Sequence, residues 1–166
     1  MLIRRLVPSD ASVFQKLRLA ALRDCPSAFS SSYEEECETP LATIATNLGQ
    51  RNLFGAFDGD ELVGMVGVGR DVSPKLRHTC AIRAMYVAPT CRGKGVGRQL
   101  LEQALLFAES MEGVCQLTLV VTAGNAPAVT LYQSMGFAIY GCEPRALFAD
   151  GKFYDNVLMV RLVEGR

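Results

Sequence analysis

Histidine occurs once in this chain, at His78, and tryptophan not at all. Six cysteines stand at 25, 37, 80, 91, 115 and 142, with no C-x-x-C spacing among them. That scarcity excludes the usual zinc ligand sets and any spaced disulfide framework, so no metal is expected and the thiols read as reduced and cytoplasmic. No apolar run is long enough to cross a bilayer, and the start, Met-Leu-Ile-Arg-Arg-Leu-Val-Pro, lacks the apolar centre of a secretory signal. There is no repeat and no low-complexity tract. Seventeen basic side chains balance seventeen acidic ones, so no global field draws the chain to nucleic acid. What remains is a chain of 166 residues, about half of them hydrophobic, large enough to bury a core as one domain spanning residues 1–166. Neither a membrane nor a nucleic acid is expected as its partner.

Against that neutral background, one stretch concentrates charge and glycine. Residues 80–87, Cys-Ala-Ile-Arg-Ala-Met-Tyr-Val, are β-capable, and Ala88-Pro89 stops them because proline has no N–H for a ladder. From Val96 onward, apolar residues recur at helical spacing: Leu100, Leu101, Ala104, Leu105 and Ala108. Between strand and helix lie Arg92, Gly93, Lys94, Gly95, Gly97 and Arg98. Glycines let a backbone approach a ligand closely, and a helix start offers unpaired N–H groups with the positive end of its dipole. With three cations added, the stretch is a receptor for phosphate or pyrophosphate. It is not a dinucleotide fingerprint, because Arg98 stands where the third glycine would be. Nor does any G-x-x-x-x-G-K-[ST] run occur. What fits is R-x-x-G-x-G, carried by Arg92, Gly95 and Gly97.

The remaining elements follow from local signals. Residues 2–6 read as a first strand, and Ser9 or Asp10 caps a helix ending near Cys25-Pro26. Residues 27–38 carry three serines, Tyr33 and the acid run Glu34-Glu35-Glu36. Thr39-Pro40 opens a second helix, with Gly49 as its stop. Residues 53–57 and 61–69 form a hairpin about Asp58-Gly59-Asp60. Gly64, Gly67 and Gly69 in its second arm imply a bulge or close packing. Residues 71–77 form a polar loop into the central strand. Gly113 ends the long helix, residues 117–122 form a buried strand, and Asn125 precedes a helix over 126–135 with Gly136 at its C-terminal cap. Strands over 137–140 and 153–162 close the chain, joined by residues 141–152 with an Asp150-Gly151 turn. This order predicts an α/β fold with a mixed sheet and helices on both faces.

Placed after a strand ending Met-Tyr-Val-x-Pro, the R-x-x-G-x-G run resembles the pyrophosphate-binding motif of the GNAT superfamily of N-acetyltransferases. The run Asn125-x-x-x-x-x-Leu131-Tyr132-x-x-x-Gly136-Phe137 resembles that superfamily's second hallmark, at the expected distance downstream. The resemblance covers residues 52–162 strongly and residues 2–48 by element order. It implies the GNAT fold, an open, mostly antiparallel sheet of about seven strands whose central strands splay apart. It also implies acetyl-coenzyme A as co-substrate, with no metal. In that reading Arg92, Gly93, Lys94, Gly95, Val96, Gly97 and Arg98 hold the pyrophosphate. The pantetheine arm lies along the splayed strand at Met85, Tyr86 and Val87, with Asn125 and Ala128 contacting it. N–H groups near Met85 and Val87 polarise the thioester carbonyl, and Tyr132 protonates the departing thiolate. A phenol's reference pKa of ~10 lies close enough to a thiol's ~8.5 for that transfer. Direct attack by the amine, without an acyl-enzyme, suits a chain whose Cys91 has no histidine near it in sequence.

A general base is not marked, since residues 80–87 carry only Arg83. Glu34, Glu35, Glu36, Asp155 or a water chain are the candidates, and Glu34 and Glu35 are expected to attract a cationic amine. Phe29, Tyr33 and Tyr154 either line a pocket or belong to the core. The last segment, 143–159, is similar to that of bacterial enzymes acting on small amines or amino acids, so a small-molecule amine is the expected acceptor. A protein N-terminus or lysine is the rival acceptor. A non-catalytic acyl-coenzyme A sensor and an ATP-binding module are the alternatives from other classes. A homodimer is left open.

Overall fold

The computed structural model describes residues 1–163, so the last three positions of the expected 1–166 domain lie outside the described residues. Seven strands form one sheet: β1 (Leu2–Arg5), β2 (Asn52–Asp58), β3 (Glu61–Arg70), β4 (Thr79–Val87), β5 (Gln116–Thr122), β6 (Ala138–Ala149) and β7 (Lys152–Leu162). Their spatial order is β1-β2-β3-β4-β5-β7-β6, and every neighbouring pair is antiparallel except β4 and β5. The mixed sheet, largely antiparallel, is the one expected.

Five helices connect the strands: α1 (Ala11–Asp24), α2 (Tyr33–Glu36), α3 (Leu41–Gln50), α4 (Val96–Ser110) and α5 (Ala126–Ser134). The α4 stripe Val96, Leu100, Leu101, Ala104, Leu105 and Ala108 is buried against Phe54, Val63, Val66 and Ile82 on one face of the sheet, together with Tyr132 of α5. On the other face Leu17 and Ala21 of α1 meet Ile44 and Leu48 of α3 over Leu53, Phe57, Met65 and Tyr86. Central strands covered on both faces have to be apolar throughout, which is why residues 53–57 and 62–68 show no polar alternation.

Two boundaries differ from the sequence reading. Helix α3 runs through Gly49 to Gln50, and Arg51 is its C-terminal cap, because Gly49 packs toward Pro8 and needs no positive φ there. Strand β6 runs through most of what reads as a connection, so only Asp150-Gly151 turns the chain into β7. Register shifts at Ile139/Gly141 and Glu143/Leu147, with Arg145 at φ +51°, break the alternation that would have marked a strand.

The β3 glycines prove to serve both purposes. A register shift lies between Met65 and Gly67, and Gly64 sits beneath α4. A Cβ at Gly64 would stand 2.8 Å from Leu100 Cδ1 and 3.2 Å from the Tyr86 carbonyl oxygen. Gly64→Val is therefore expected to lose about 1–3 kcal/mol by overpacking, read as a lower midpoint in denaturant unfolding with an unchanged m value.

Candidate active site

The site begins where the sheet fails to close. Strand β4 pairs with β5 only through Thr79↔Gln116, Cys80↔Leu117 and Ala81↔Thr118. Beyond Ala81 the two strands diverge, and residues 82–87 have no partner on the β5 side. On the β3 side, Gly67 faces Arg83 and Met65 faces Tyr86, so Val66 opposes two residues, Ala84 and Met85. This is a β-bulge, and Ala84 within it adopts φ +53°. A side chain in that region costs about 1–2 kcal/mol, so the surrounding fold holds a strained backbone at the point of divergence.

The wedge is a cleft of about 490 Å³. One wall is residues 82–87, the other Val120, Val121 and Thr122. The glycine loop closes one end, and Asn125, Ala128, Leu131 and Tyr132 of the α5 segment close another. Gly93 and Gly95 adopt φ +73° and +79°, and Gly95 is the N-terminal cap of α4. Among the described residues, the amides of 93–98 donate to no backbone acceptor, and the first to do so is that of Gln99, to Gly95 O at 3.1 Å. Of these residues Gly93, Gly95, Val96, Gly97 and Arg98 line the open cleft, at the positive end of a 15-residue helix.

The cations of this run divide. Lys94 does not line the cleft, whereas Arg92 and Arg98 do. Arg98 holds Glu102 at 3.0 Å in an exposed i,i+4 pair, readily exchanged for another anion. Arg92, read from sequence as a phosphate ligand, is directed elsewhere. Its Nη2 donates to Asp24 Oδ2 at 2.5 Å, its Nε to the Val87 carbonyl at 2.9 Å, and its guanidinium lies 5.4 Å from the centre of the Tyr86 ring. The Tyr86 hydroxyl donates to the same carboxylate at 3.2 Å. The Arg92 guanidinium holds the Asp24 carboxyl below its ordinary range, and burial, reinforced by Asp24, pushes the Tyr86 phenol up to about 12.

Residues 24–29 therefore strap the mouth of the wedge. Asp24 fastens the strap to the β4 side, and the Thr122 hydroxyl donates to Ser27 O at 2.6 Å on the β5 side. Cys25, Ala28 and Phe29 line the cleft beneath it. Asp24→Asn keeps the shape but loses the charge pairing, which leaves Arg92 less fixed. The KM for acetyl-coenzyme A is expected to rise roughly three- to tenfold with kcat little altered, a split that steady-state kinetics reads directly.

Tyr132 is 6% exposed, edge-on to Phe137 at 6.1 Å, and no described group hydrogen-bonds its hydroxyl. Burial alone pushes this phenol up to about 12, so it stays protonated through the neutral range. The Asn125 carboxamide oxygen caps α5 by accepting from Ala128 N at 3.3 Å, which leaves its NH₂ for the cleft. Cys91 is buried beside Thr90, 3.8 Å from its hydroxyl. Among the described residues no group of three or more His, Cys, Asp or Glu could hold a metal ion.

The acids are arranged differently from the sequence expectation. Glu35 accepts from Ser32 N at 2.6 Å in a capping box, and neither Glu34 nor Glu35 lines the cleft or the second cavity below. The Glu35 side chain serves a helix start, as Ser-x-x-Glu spacing does. Asp155 accepts from Arg145 N and also lines neither. Glu36 does line a cavity, and Arg18 grips it with two hydrogen bonds of 2.9 and 2.7 Å. Of the aromatics, Phe29 lines the cleft, whereas Tyr33 lies under Arg23 and Tyr154 under Lys152. Asp24, Arg18 and the strained Ala84 carry no local signature, since each acquires its role from partners distant in sequence.

A family model described as the acetyltransferase (GNAT) family matches residues 17–137, from the middle of α1 to the end of α5. The chain belongs to the GNAT family. Its fold follows that of a GNAT acetyltransferase from Streptococcus pneumoniae with a TM-score of 0.87 and 26% identity, covering 98% of both chains. It is similar to the L-amino acid N-acetyltransferase AaaT of Escherichia coli, 25% identical over 72% of each chain. It is also similar to an uncharacterised protein of Mycobacterium leprae, 39% identical over 92% of this chain and 41% of that one. The chain spans 32% to 47% of the length of the first curated relatives it matches. Both GNAT hallmarks in this chain fall on the cleft: Arg92, Gly95 and Gly97 at one end, Asn125 and Tyr132 at the other. No helix among the described residues is long and apolar enough to cross a membrane.

Proposed function

We propose that the protein is an acetyl-coenzyme A-dependent N-acetyltransferase whose acceptor is a small primary amine. The observation that carries this is the conjunction, along one cleft, of a glycine loop whose amides have no backbone acceptor, an unpaired strand edge and a neutral buried phenol. The amides of 93–98 suit a diphosphate, and at Gly93 a Cβ would meet nothing within 4 Å, so the cradle is open. The edge of residues 82–87 suits an extended amide chain that pairs like an added strand, with the Asn125 NH₂ on its flank.

The co-substrate supplies the activated acetyl thioester. The chain's own residues do the rest. Backbone N–H groups at Met85 and Val87, beside the bulge, polarise the carbonyl under attack by the amine. The Tyr132 hydroxyl gives its proton to the sulfur as the C–S bond breaks, the attacking nitrogen loses one to water as the amide forms, and water returns that proton to the phenolate. Cys91 lines the cleft, but the group found against its thiol is the Thr90 hydroxyl at 3.8 Å and not a base, which supports direct attack over an acyl-enzyme. A second cavity of about 360 Å³, which shares Ala84 with the cleft, supports a small acceptor over a protein segment. Release of free coenzyme A across an amine panel tests the reading. Saturable release that depends on an amine supports it, and binding of acetyl-coenzyme A with no release for any amine points to a sensor instead.

A further inference from the structure

The second cavity lies on the α1–α3 face of the sheet. Phe14, Leu19, Ile44, Leu48 and Leu53 give it an apolar floor. Its polar rim carries two cations, Arg18 and Arg51, and a single acid, Glu36. Ala84, at the bulge, lines both this cavity and the cleft, so a group seated here approaches the cleft at the strained residue. On the cleft side, the residue just before Ala84 is Arg83.

The charges around Ala84 do not cancel. Arg18 spends its fork on Glu36 through two hydrogen bonds and lies 4.8 Å from the centre of the Phe29 ring, so both members of that pair are fixed and mutually neutralised. Arg51 and Arg83 are exposed, and neither guanidinium has a carboxylate partner among the described residues. No acid lines the cleft. Each cavity thus carries one exposed guanidinium with no ion-pair partner among the described residues, Arg51 beside the Arg18–Glu36 pair and Arg83 alongside Gly69 of β3. A diamine or a lysine side chain would bring a second positive charge into that field. An amine that also carries a carboxylate would bring a planar anion matched to the guanidinium fork.

We infer that the acceptor is an amine bearing a carboxylate, an amino acid with an apolar side chain, whose acid group is read by Arg51 and Arg83 while its amine faces the cleft at Ala84. The inference rests on the transferase reading above and narrows it to one class of amine. It reverses the sequence-based expectation that Glu34 and Glu35 recruit a cationic acceptor.

The test pairs apolar L-amino acids with their carboxamides and adds 1,4-diaminobutane, with kcat/KM expressed per unprotonated amine. In the native protein the best carboxylate is expected to exceed its own carboxamide by roughly tenfold or more, and the diamine to be poorest. In Arg51→Gln and Arg83→Gln that ratio falls toward one, chiefly through KM, and the double variant loses it entirely. Lys75→Gln removes an exposed cation that lines neither cavity, and it keeps the native ratio. Unchanged melting temperatures show that the variants are folded. Carboxamides or the diamine turned over as well as the carboxylates, or a ratio indifferent to Arg51 and Arg83, would overturn the inference while leaving the transferase intact. Turnover of none of these amines, with acetyl-coenzyme A bound, overturns the inference. Failure of the wider amine panel as well would overturn the transferase reading.

Discussion

Tyr132→Phe is expected to lower kcat by roughly 10²–10⁴-fold while the affinity for acetyl-coenzyme A stays within about twofold, because in the proposed role it removes a positioned proton donor. Only one oxygen is lost, and no described group hydrogen-bonds it, so the fold loses no partner. The ring and its edge-on contact with Phe137 remain. The expected loss falls on chemistry alone because a thiolate with a reference pKa of ~8.5 leaves less readily unprotonated. The phenol's raised pKa also sets the pH behaviour. Burial disfavours the phenolate, so the protonated form persists above the ordinary phenol range and is lost only as pH approaches about 12. No alkaline fall in rate assigned to Tyr132 is therefore expected below about pH 10. The acidic limb should instead move with the acceptor's own amine pKa. Glu36, the acid that lines the second cavity, is held below the ordinary carboxylate range by Arg18 and makes a poor base. A phenylalanine variant that keeps native kcat would remove Tyr132 from the mechanism.

The second large effect concerns the loop. Gly95→Val is expected to weaken acetyl-coenzyme A binding by roughly 10²-fold, since in the proposed cradle it would lose two charge-assisted hydrogen bonds at about 1.5 kcal/mol each. Gly95 adopts φ +79°, a region that penalises any L side chain and a β-branched one most. The valine must either hold that strain or let the loop relax, and relaxation turns the amides of 93–98 away from a common focus. Gly59→Val supplies the control. Gly59 also has a positive φ, +59°, with nothing within 4 Å of its added Cβ, and it lies in the β2–β3 turn far from the cleft. It should lose comparable stability and keep native cofactor affinity. Calorimetric titration of both variants separates a damaged cradle from a merely strained chain.

Elements governed by short-range signals were legible in the sequence. The α4 stripe, the Asp58-Gly59 turn and the helix start after Asn125 each depend on neighbours within a few residues, and the structure shows all three. The glycine loop before α4 was legible for the same reason, since a glycine run before a helix is a local pattern. What escaped was decided by long-range partners. Arg92 looks like a phosphate ligand until Asp24, 68 positions earlier, is found against it. Ala84 is an ordinary strand residue until the β3 register forces the bulge. Glu34-Glu35-Glu36 reads as one acidic surface, yet Glu35 caps a helix turn and Glu36 is neutralised by Arg18 from another helix. The reach of β6 was hidden because its bulges destroy the alternation on which strand recognition depends.

The most direct measurement of the central claim is an amide ¹⁵N–¹H spectrum of the labelled protein titrated with acetyl-coenzyme A. The largest saturable shifts should fall on the amides of Gly93, Gly95 and Gly97, followed by Met85 and Val87, with those of the β6–β7 turn at Asp150-Gly151 unmoved. Amides at 93–97 that stay in place while coenzyme A is released to an amine would show that the cofactor binds elsewhere and contradict the account.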